Sequence, residues 1–159
     1  MIYDCIIIGA GASGLFFSGA INEHVSGLIL EKTGRAGTKL LMSGNGQCNI
    51  THAGSIKDFI KCYGKNGGKI RSCLYKYNNL QLIEFLKCNG VPLVIRDDDK
   101  VFPESMDAHD ILKLLLSKTA ANGFRIKFSC PVVHISRKNN LWELITADGG
   151  CYVSQTVVI

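Results

Sequence analysis

An α/β domain built on a parallel sheet is the fold class this sequence predicts. Three observations predict it. The apolar run Cys5-Ile6-Ile7-Ile8 leads straight into Gly9-Ala10-Gly11-Ala12-Ser13-Gly14, a G-x-G-x-x-G turn. A small, apolar stretch from Leu15 to Ile21 follows. A second apolar run, Leu28-Ile29-Leu30, ends on Glu31, twenty residues past Gly11. Strand, tight turn, helix, strand and acid, in that order, make the Rossmann-like frame that binds dinucleotides. The turn alone would be weak evidence; here it has both its frame and its acid.

Each residue of the frame has an expected task. Gly9 turns the chain off the strand, where a Cβ is expected to clash. Gly11 lets backbone N–H groups approach a pyrophosphate, and Gly14 lets the helix pack against the sheet. Ala12 and Ser13 open the helix, so its unpaired N–H groups and positive dipole end face the anion. Glu31 accepts hydrogen bonds from the ribose hydroxyls. A carboxylate there disfavours a 2′-phosphate, which favours FAD or NAD over NADP. The alternative is a glycine-rich helix–strand packing site without a ligand.

The elements follow in order. Strand 3–8, helix 12–23 and strand 27–31 lead into a glycine-rich segment, 33–54. Short helices are expected at 55–62 and 68–76. A better one covers 79–88, with Leu80, Leu82, Ile83, Phe85 and Leu86 as its apolar face and Asn89-Gly90 as its stop. Residues 91–95 and 100–102 read as a hairpin around Asp97-Asp98-Asp99. A helix at 107–121 has Ser105 as a candidate cap and Asp107 and Asp110 in its first turn, and ends at Asn122-Gly123. Residues 124–128 form a strand. Residues 131–137, 141–147 and 150–154 form a meander, with turns at Asn139-Asn140 and Asp148-Gly149. Thr156-Val157-Val158-Ile159 then begins a further buried strand. On that ground the chain is expected to be the N-terminal part of a longer protein, its domain incomplete at the C-terminus.

Composition sets the bounds. A chain of 159 residues fits one domain and buries roughly two-thirds of its unfolded surface. Seven cysteines without a CxxC pair or zinc spacing fit free thiols in a reducing cytoplasm, so no metal is expected. The uncharged stretch from Cys5 to Ile21 is not read as a signal or membrane span. Asp4 precedes it, no basic segment does, and Gly9, Gly11, Gly14 and Gly19 interrupt it. The net charge is +5. Lys57, Lys61, Lys65, Lys69, Arg71 and Lys76 face Asp58 alone, with Tyr63, Tyr75 and Tyr77 interleaved. Such a mixture suits nucleic acid. Lys57, Lys61 and Lys65 also fall on one helical stripe, and a solvated face is the expectation taken.

A second motif runs Gly37-Thr38-Lys39-Leu40-Leu41-Met42-Ser43-Gly44-Asn45-Gly46-Gln47-Cys48-Asn49-Ile50-Thr51. With the glycine turn, Glu31-Lys32 and Lys100-Val101-Phe102-Pro103-Glu104-Ser105, it resembles the bacterial aminoacetone-oxidase-like flavoproteins. These are FAD-binding, NAD(P)/FAD-dependent oxidoreductases of the glutathione-reductase type, with G-x-K-x-x-x-S-G-x-G-x-C-N-x-T after the ribose acid. The resemblance covers essentially the whole chain, but only the first part of a family member. The family's substrate domain and C-terminal return segment have no counterpart here. Three positions depart from the pattern: Gln47 stands for the usual arginine, Asp99 for a glycine, and His52 for a common asparagine.

The resemblance implies that 43–51 lies along the FAD pyrophosphate and near the flavin ring. Gly44 and Gly46 would let N–H groups form an anion-binding nest. Asn49 and Thr51 would donate to phosphate or flavin oxygens, Lys39 would offset phosphate charge, and Lys32, Ser43, Gln47 and Cys48 belong to the same contact set. Cys48 is read as a packing residue, because no nearby cysteine completes a redox pair. His24, His52, His109 and His134 are scattered, and none is given a catalytic role. The expected function is the N-terminal FAD-binding part of a flavin-dependent oxidoreductase, whose parent also admits NAD(P)H as co-substrate. Three rivals stand: an NAD-binding dehydrogenase, a nucleic-acid-associated flavoprotein, and an inactive fragment.

Overall fold

The computed structural model describes residues 1–21 and 25–159. In chain order its elements are β1 (Ile2–Ile8), α1 (Ala12–Ala20), β2 (Gly27–Leu30), α2 (Thr38–Met42), β3 (Thr51–His52), α3 (Ile56–Lys61), α4 (Gly67–Lys76), α5 (Asn79–Cys88), β4 (Leu93–Ile95), β5 (Lys100–Pro103), α6 (Ala108–Ala121), β6 (Phe124–Lys127), β7 (Val132–Lys138), β8 (Leu141–Thr146) and β9 (Cys151–Val158). Short 3₁₀ turns occupy Ser43–Gly46 and Gly64–Asn66. The chain forms two compact units, Met1–Leu40 with Leu112–Ile159, and Leu41–Ile111.

The first unit is the Rossmann-type α/β domain that the sequence predicts. Its sheet has the order β6-β2-β1-β9-β8-β7. β6, β2, β1 and β9 run parallel, and β8 and β7 are antiparallel additions at one edge. The continuous apolar run of β1 follows from burial on both faces. Ile6 packs with Leu28, Leu30, Cys130 and Leu144. Ile7 meets the start of α1, its Cγ2 lying 3.1 Å from where a Cβ on Gly14 would stand. Each fully buried Ile or Leu here contributes about 1.5–3 kcal/mol relative to exposure.

α1 also packs on the C-terminal part of α6. A Cβ on Gly19 would lie 2.9 Å from Lys118 Cβ. Ser18 Oγ and Thr119 Oγ1 share a buried hydrogen bond of 2.7 Å. Asn122 Nδ2 donates to Ser18 O and Ile21 O, both at 2.8 Å. The glycine and the hydroxyl pair therefore fix how closely the two helices approach.

In the second unit, β3-β5-β4 form a small antiparallel sheet. Asn79, buried at the start of α5, donates to His52 O at 2.6 Å and Gly54 O at 2.9 Å. A capping box between Asn78 and Gln81 starts α5, and Gly90 at φ +79° ends it.

Several expectations change. The first helix ends at Ala20. Asn22 and Glu23, its expected last turn, and His24 lie outside the described residues. The strands expected at 150–154 and from 156 onward are one strand, β9. It pairs β8 through Ser154 and continues along β1 to Val158. No glycine or proline interrupts Ser154-Gln155-Thr156, so the chain stays extended. Asp107 rather than Ser105 caps α6, its Oδ1 accepting from His109 N at 2.9 Å. Lys57, Lys61 and Lys65 share no single helix: α3 stops at Lys61, and Gly64, at φ +53°, turns the chain before Lys65. No helix among the described residues is long and apolar enough to cross a membrane.

Candidate dinucleotide site

β1 delivers the chain to Gly9, whose N–H donates to Leu30 O at 2.9 Å. Gly9 has φ +102°, and a Cβ there would meet nothing within 4 Å. Backbone conformation, not the expected clash, is what requires glycine at this position. Gly11 is the N-cap of α1 in an extended conformation, and no side chain caps the helix. A Cβ on Gly11 would stand in open space. A Cβ on Gly14 would lie 2.2 Å from Gly9 O. Gly14 is therefore required for packing, whereas Gly11 leaves approach room on the open side. The first N–H groups of α1 have no intrahelical acceptor by construction.

Glu31 follows the last residue of β2 and is buried. Its Oε2 accepts from Ala10 N at 2.7 Å. Its Oε1 accepts from Thr33 N and Thr33 Oγ1, both at 2.8 Å. Burial pushes its pKa up. The bonds from Thr33 and Ala10, with the Lys32 charge, outweigh that and hold the carboxyl below its ordinary range. A carboxylate has about four acceptor positions. These bonds fill both on Oε1 and one on Oε2, which leaves one for a further donor.

A cleft of about 960 Å³ opens over this turn, lined by Gly9 to Gly14, Phe17, Glu31 to Thr33, Thr38 to Leu40 and Cys130 to Val132, among others. That size suits a cofactor fragment. The sequence reading placed Gly9, Gly11, Ala12, Ser13, Gly14, Glu31, Lys32 and Lys39 in one contact set, and all line this cleft. Thr38, which has no special place in the motif, has its Oγ1 buried at the cleft with no hydrogen-bond partner among the described residues. Thr33 carries no motif signal either, although a threonine two residues after an acid is a common local donor. An orphaned hydroxyl, an uncapped helix start and open space over Gly11 together fit an anionic dinucleotide.

Ser43, Gly44, Gly46, Gln47, Cys48, Asn49 and Thr51 belong to the second unit. Gly44 and Asn45 are both left-handed. Gln47 N donates to Gly44 O and Cys48 N to Ser43 O, so these two N–H groups serve the turn itself. Cys48 is 2% exposed. Burial pushes its thiol up, against a bond from Ser43, as befits a packing residue. Gln47 Oε1 accepts from Arg96 Nη2 at 2.8 Å, and the Arg96 guanidinium lies 3.9 Å from the Phe102 ring centre. Thr51 pairs with Val101 in the small sheet, and Asn49 is exposed.

Comparison with known proteins gives three informative likenesses. The ribosomal RNA dihydrouridine synthase of Escherichia coli is 45% identical over 136 residues, covering 85% of this chain and 33% of that protein. The 3-dehydro-bile acid delta(4,6)-reductase of Clostridium scindens is 31% identical over 112 residues, covering 69% of this chain and 27% of that protein. The solved 3-ketosteroid-delta4-(5alpha)-dehydrogenase of Rhodococcus jostii superposes with a TM-score of 0.68 at 16% identity, covering 98% of this chain and 45% of that one, a likeness of fold. The chain spans about a third of the length of the curated relatives it matches. The HI0933-like protein Rossmann domain matches residues 3–159, and the chain belongs to that family.

Proposed function

We propose that the cleft over Gly9–Gly14 holds the ADP part of FAD, and that the whole protein is a flavin-dependent reductase of uracil rings in ribosomal RNA. The observation that carries the cofactor reading is the convergence on one cleft of the uncapped α1 start, Glu31 and the unpartnered Thr38 hydroxyl. The N–H groups of Ala12 and Ser13 donate to the pyrophosphate. The free acceptor position on Glu31 Oε2 takes a ribose hydroxyl. Thr38 Oγ1 gains the partner it lacks, and Lys39 offsets phosphate charge. Bound FAD supplies hydride transfer, while the protein supplies binding, orientation and electrostatics.

The substrate rests on the relatives. A dihydrouridine synthase and a delta(4,6)-reductase of a 3-dehydro-bile acid share one chemistry: a carbon–carbon double bond conjugated to a carbonyl accepts a hydride. The higher identity, over the longer stretch, lies with the synthase. An oxidase, as the aminoacetone-oxidase-like resemblance suggests, would keep the same cofactor and pass electrons to dioxygen.

Three measurements test the reading. The full-length protein, purified without added cofactor, is expected to be yellow and to release FAD on denaturation. Glu31→Ala is expected to lower FAD affinity about 10–150-fold, the size of one charged hydrogen bond. A colourless folded protein that ignores added FAD overturns the cofactor reading and leaves NAD. Ribosomal RNA from cells lacking the gene is expected to lose dihydrouridine; an unchanged content overturns the substrate.

A further inference from the structure

We propose that α3, α4 and the 3₁₀ turn between them form a docking surface for the phosphate backbone and unpaired bases of the RNA substrate. The inference rests on the ribosomal RNA reading above and gives it a physical surface. Residues 55–77 hold six Lys or Arg and one Asp. The remaining positions hold twelve of each sign, so the whole net charge of +5 resides in this segment. No acid occurs between Asp58 and Glu84.

These cations are presented to solvent. Lys57, Lys61, Lys65, Lys69, Arg71 and Lys76 are all exposed. Among the described residues, Lys61 has an ion-pair partner, Asp58 at 2.7 Å, and no salt bridge engages the other five. α3 buries no residue and α4 buries Gly67 alone. That glycine seats α4 on α3: a Cβ there would lie 2.5 Å from Ile60 O. The two short helices therefore carry their charges on one platform rather than on a loose tail.

The aromatics decide the class of partner. Tyr63, Tyr75 and Tyr77 are 47%, 45% and 41% exposed. Arg71 lies 5.6 Å from the Tyr75 ring centre, and Phe59 and Tyr63 pair at 5.8 Å. Cations follow phosphates, and exposed rings stack unpaired bases. A membrane-surface helix would instead present Leu, Phe or Trp opposite its cations. The apolar residues of α4, Ile70 and Leu74, are already half-buried.

The test uses the full-length flavoprotein and a fluorescent single-stranded RNA containing uridine, titrated at several salt concentrations. The triple variant Lys65→Gln, Lys69→Gln, Lys76→Gln is expected to flatten the slope of log K against log salt by about 2, since each lost contact removes about 0.7. Its low-salt affinity should fall at least tenfold, with FAD content unchanged. The control pair Lys113→Gln, Lys138→Gln should leave the slope unaltered. An unaltered slope in the triple variant overturns this surface while leaving the reductase reading intact. A parent protein without salt-dependent RNA binding but with lysine-dependent binding to phosphatidylserine vesicles would also overturn it. Dihydrouridine that persists in cells lacking the gene removes the substrate reading itself, whatever the titration shows.

Discussion

The Glu31 carboxylate reaches across from the end of β2 to accept the Ala10 N–H at 2.7 Å, tying the acid at the strand end to the glycine turn. One residue thus braces the turn and faces the cleft. Ala10 is fully buried, so its N–H has no access to water if the carboxylate leaves.

Glu31→Gln should therefore weaken the fold as well as the binding. The amide has a single oxygen and cannot serve both Ala10 and Thr33. A buried donor left alone costs about 1–3 kcal/mol at neutral pH. The sign of the pH dependence follows from the depressed pKa of Glu31. Its stabilisation is complete above the unfolded-state pKa and is lost as pH falls through the lower folded-state value. Melts of both proteins across the acid range should show a gap at neutral pH that closes below the carboxylate range. A constant gap would remove the ionised Glu31 as its cause.

Gly11 and Gly14 should separate binding from stability. A Cβ on Gly14 runs into Gly9 O, a backbone atom that cannot move aside. Gly14→Ala should cost about 2–3 kcal/mol, or roughly 5–10 °C in Tm. Gly11 stands in open space with φ −85°, which alanine adopts freely. Gly11→Ala should stay within about 1 kcal/mol of the parent, yet lose FAD affinity at least tenfold as its methyl enters the cleft. Thermal melts and FAD titrations distinguish the two patterns, and equal effects in both variants would contradict the assignment.

The βαβ frame was legible because its signals are local and strong: an apolar strand, three glycines at fixed spacing, and an acid at the next strand end. The β7–β8 turn was legible for the same reason, since Asn139 and Asn140 both adopt positive φ. Features decided by distant partners were hidden. β9 reads as two pieces because Ser154, Gln155 and Thr156 are polar, and pairing with β1 and β8 makes them one strand. β3 has two residues and exists through its pairing with β5. Thr38 looks ordinary in sequence, and burial alone marks its hydroxyl as unpartnered.

The thiols should divide by environment. Cys62 and Cys73 are exposed, whereas Cys5, Cys48 and Cys130 are buried. Cys88 is exposed too, but the hydrogen bond to Glu84 and that carboxylate's charge push its thiol up. Since the thiolate is the reactive form, alkylation mapped by mass spectrometry near neutral pH should run fastest at Cys62 and Cys73. Cys88 should lag and gain as pH rises. Cys5, Cys48 and Cys130 should react after unfolding. Early labelling of Cys48 in the native protein would contradict its packing role.

Thr38→Val gives the sharpest test of the cleft as a binding site rather than a packing gap. The threonine hydroxyl is buried without a partner, which costs the ligand-free protein about 1–3 kcal/mol. Valine keeps the shape and removes the unsatisfied oxygen, so the ligand-free variant should melt at the same temperature or slightly higher. If FAD supplies the missing partner, the same change removes a hydrogen bond worth about 0.5–1.5 kcal/mol from the complex, a loss of about 2–13-fold in affinity. Thr38→Ser, which keeps the hydroxyl, should restore most of that affinity. Weaker FAD binding without loss of stability marks a hydroxyl that serves the ligand, whereas a threonine that only packs would leave FAD affinity unchanged. A variant that loses stability while binding FAD unchanged would place Thr38 in the scaffold and leave Glu31 and the α1 start to hold the cofactor.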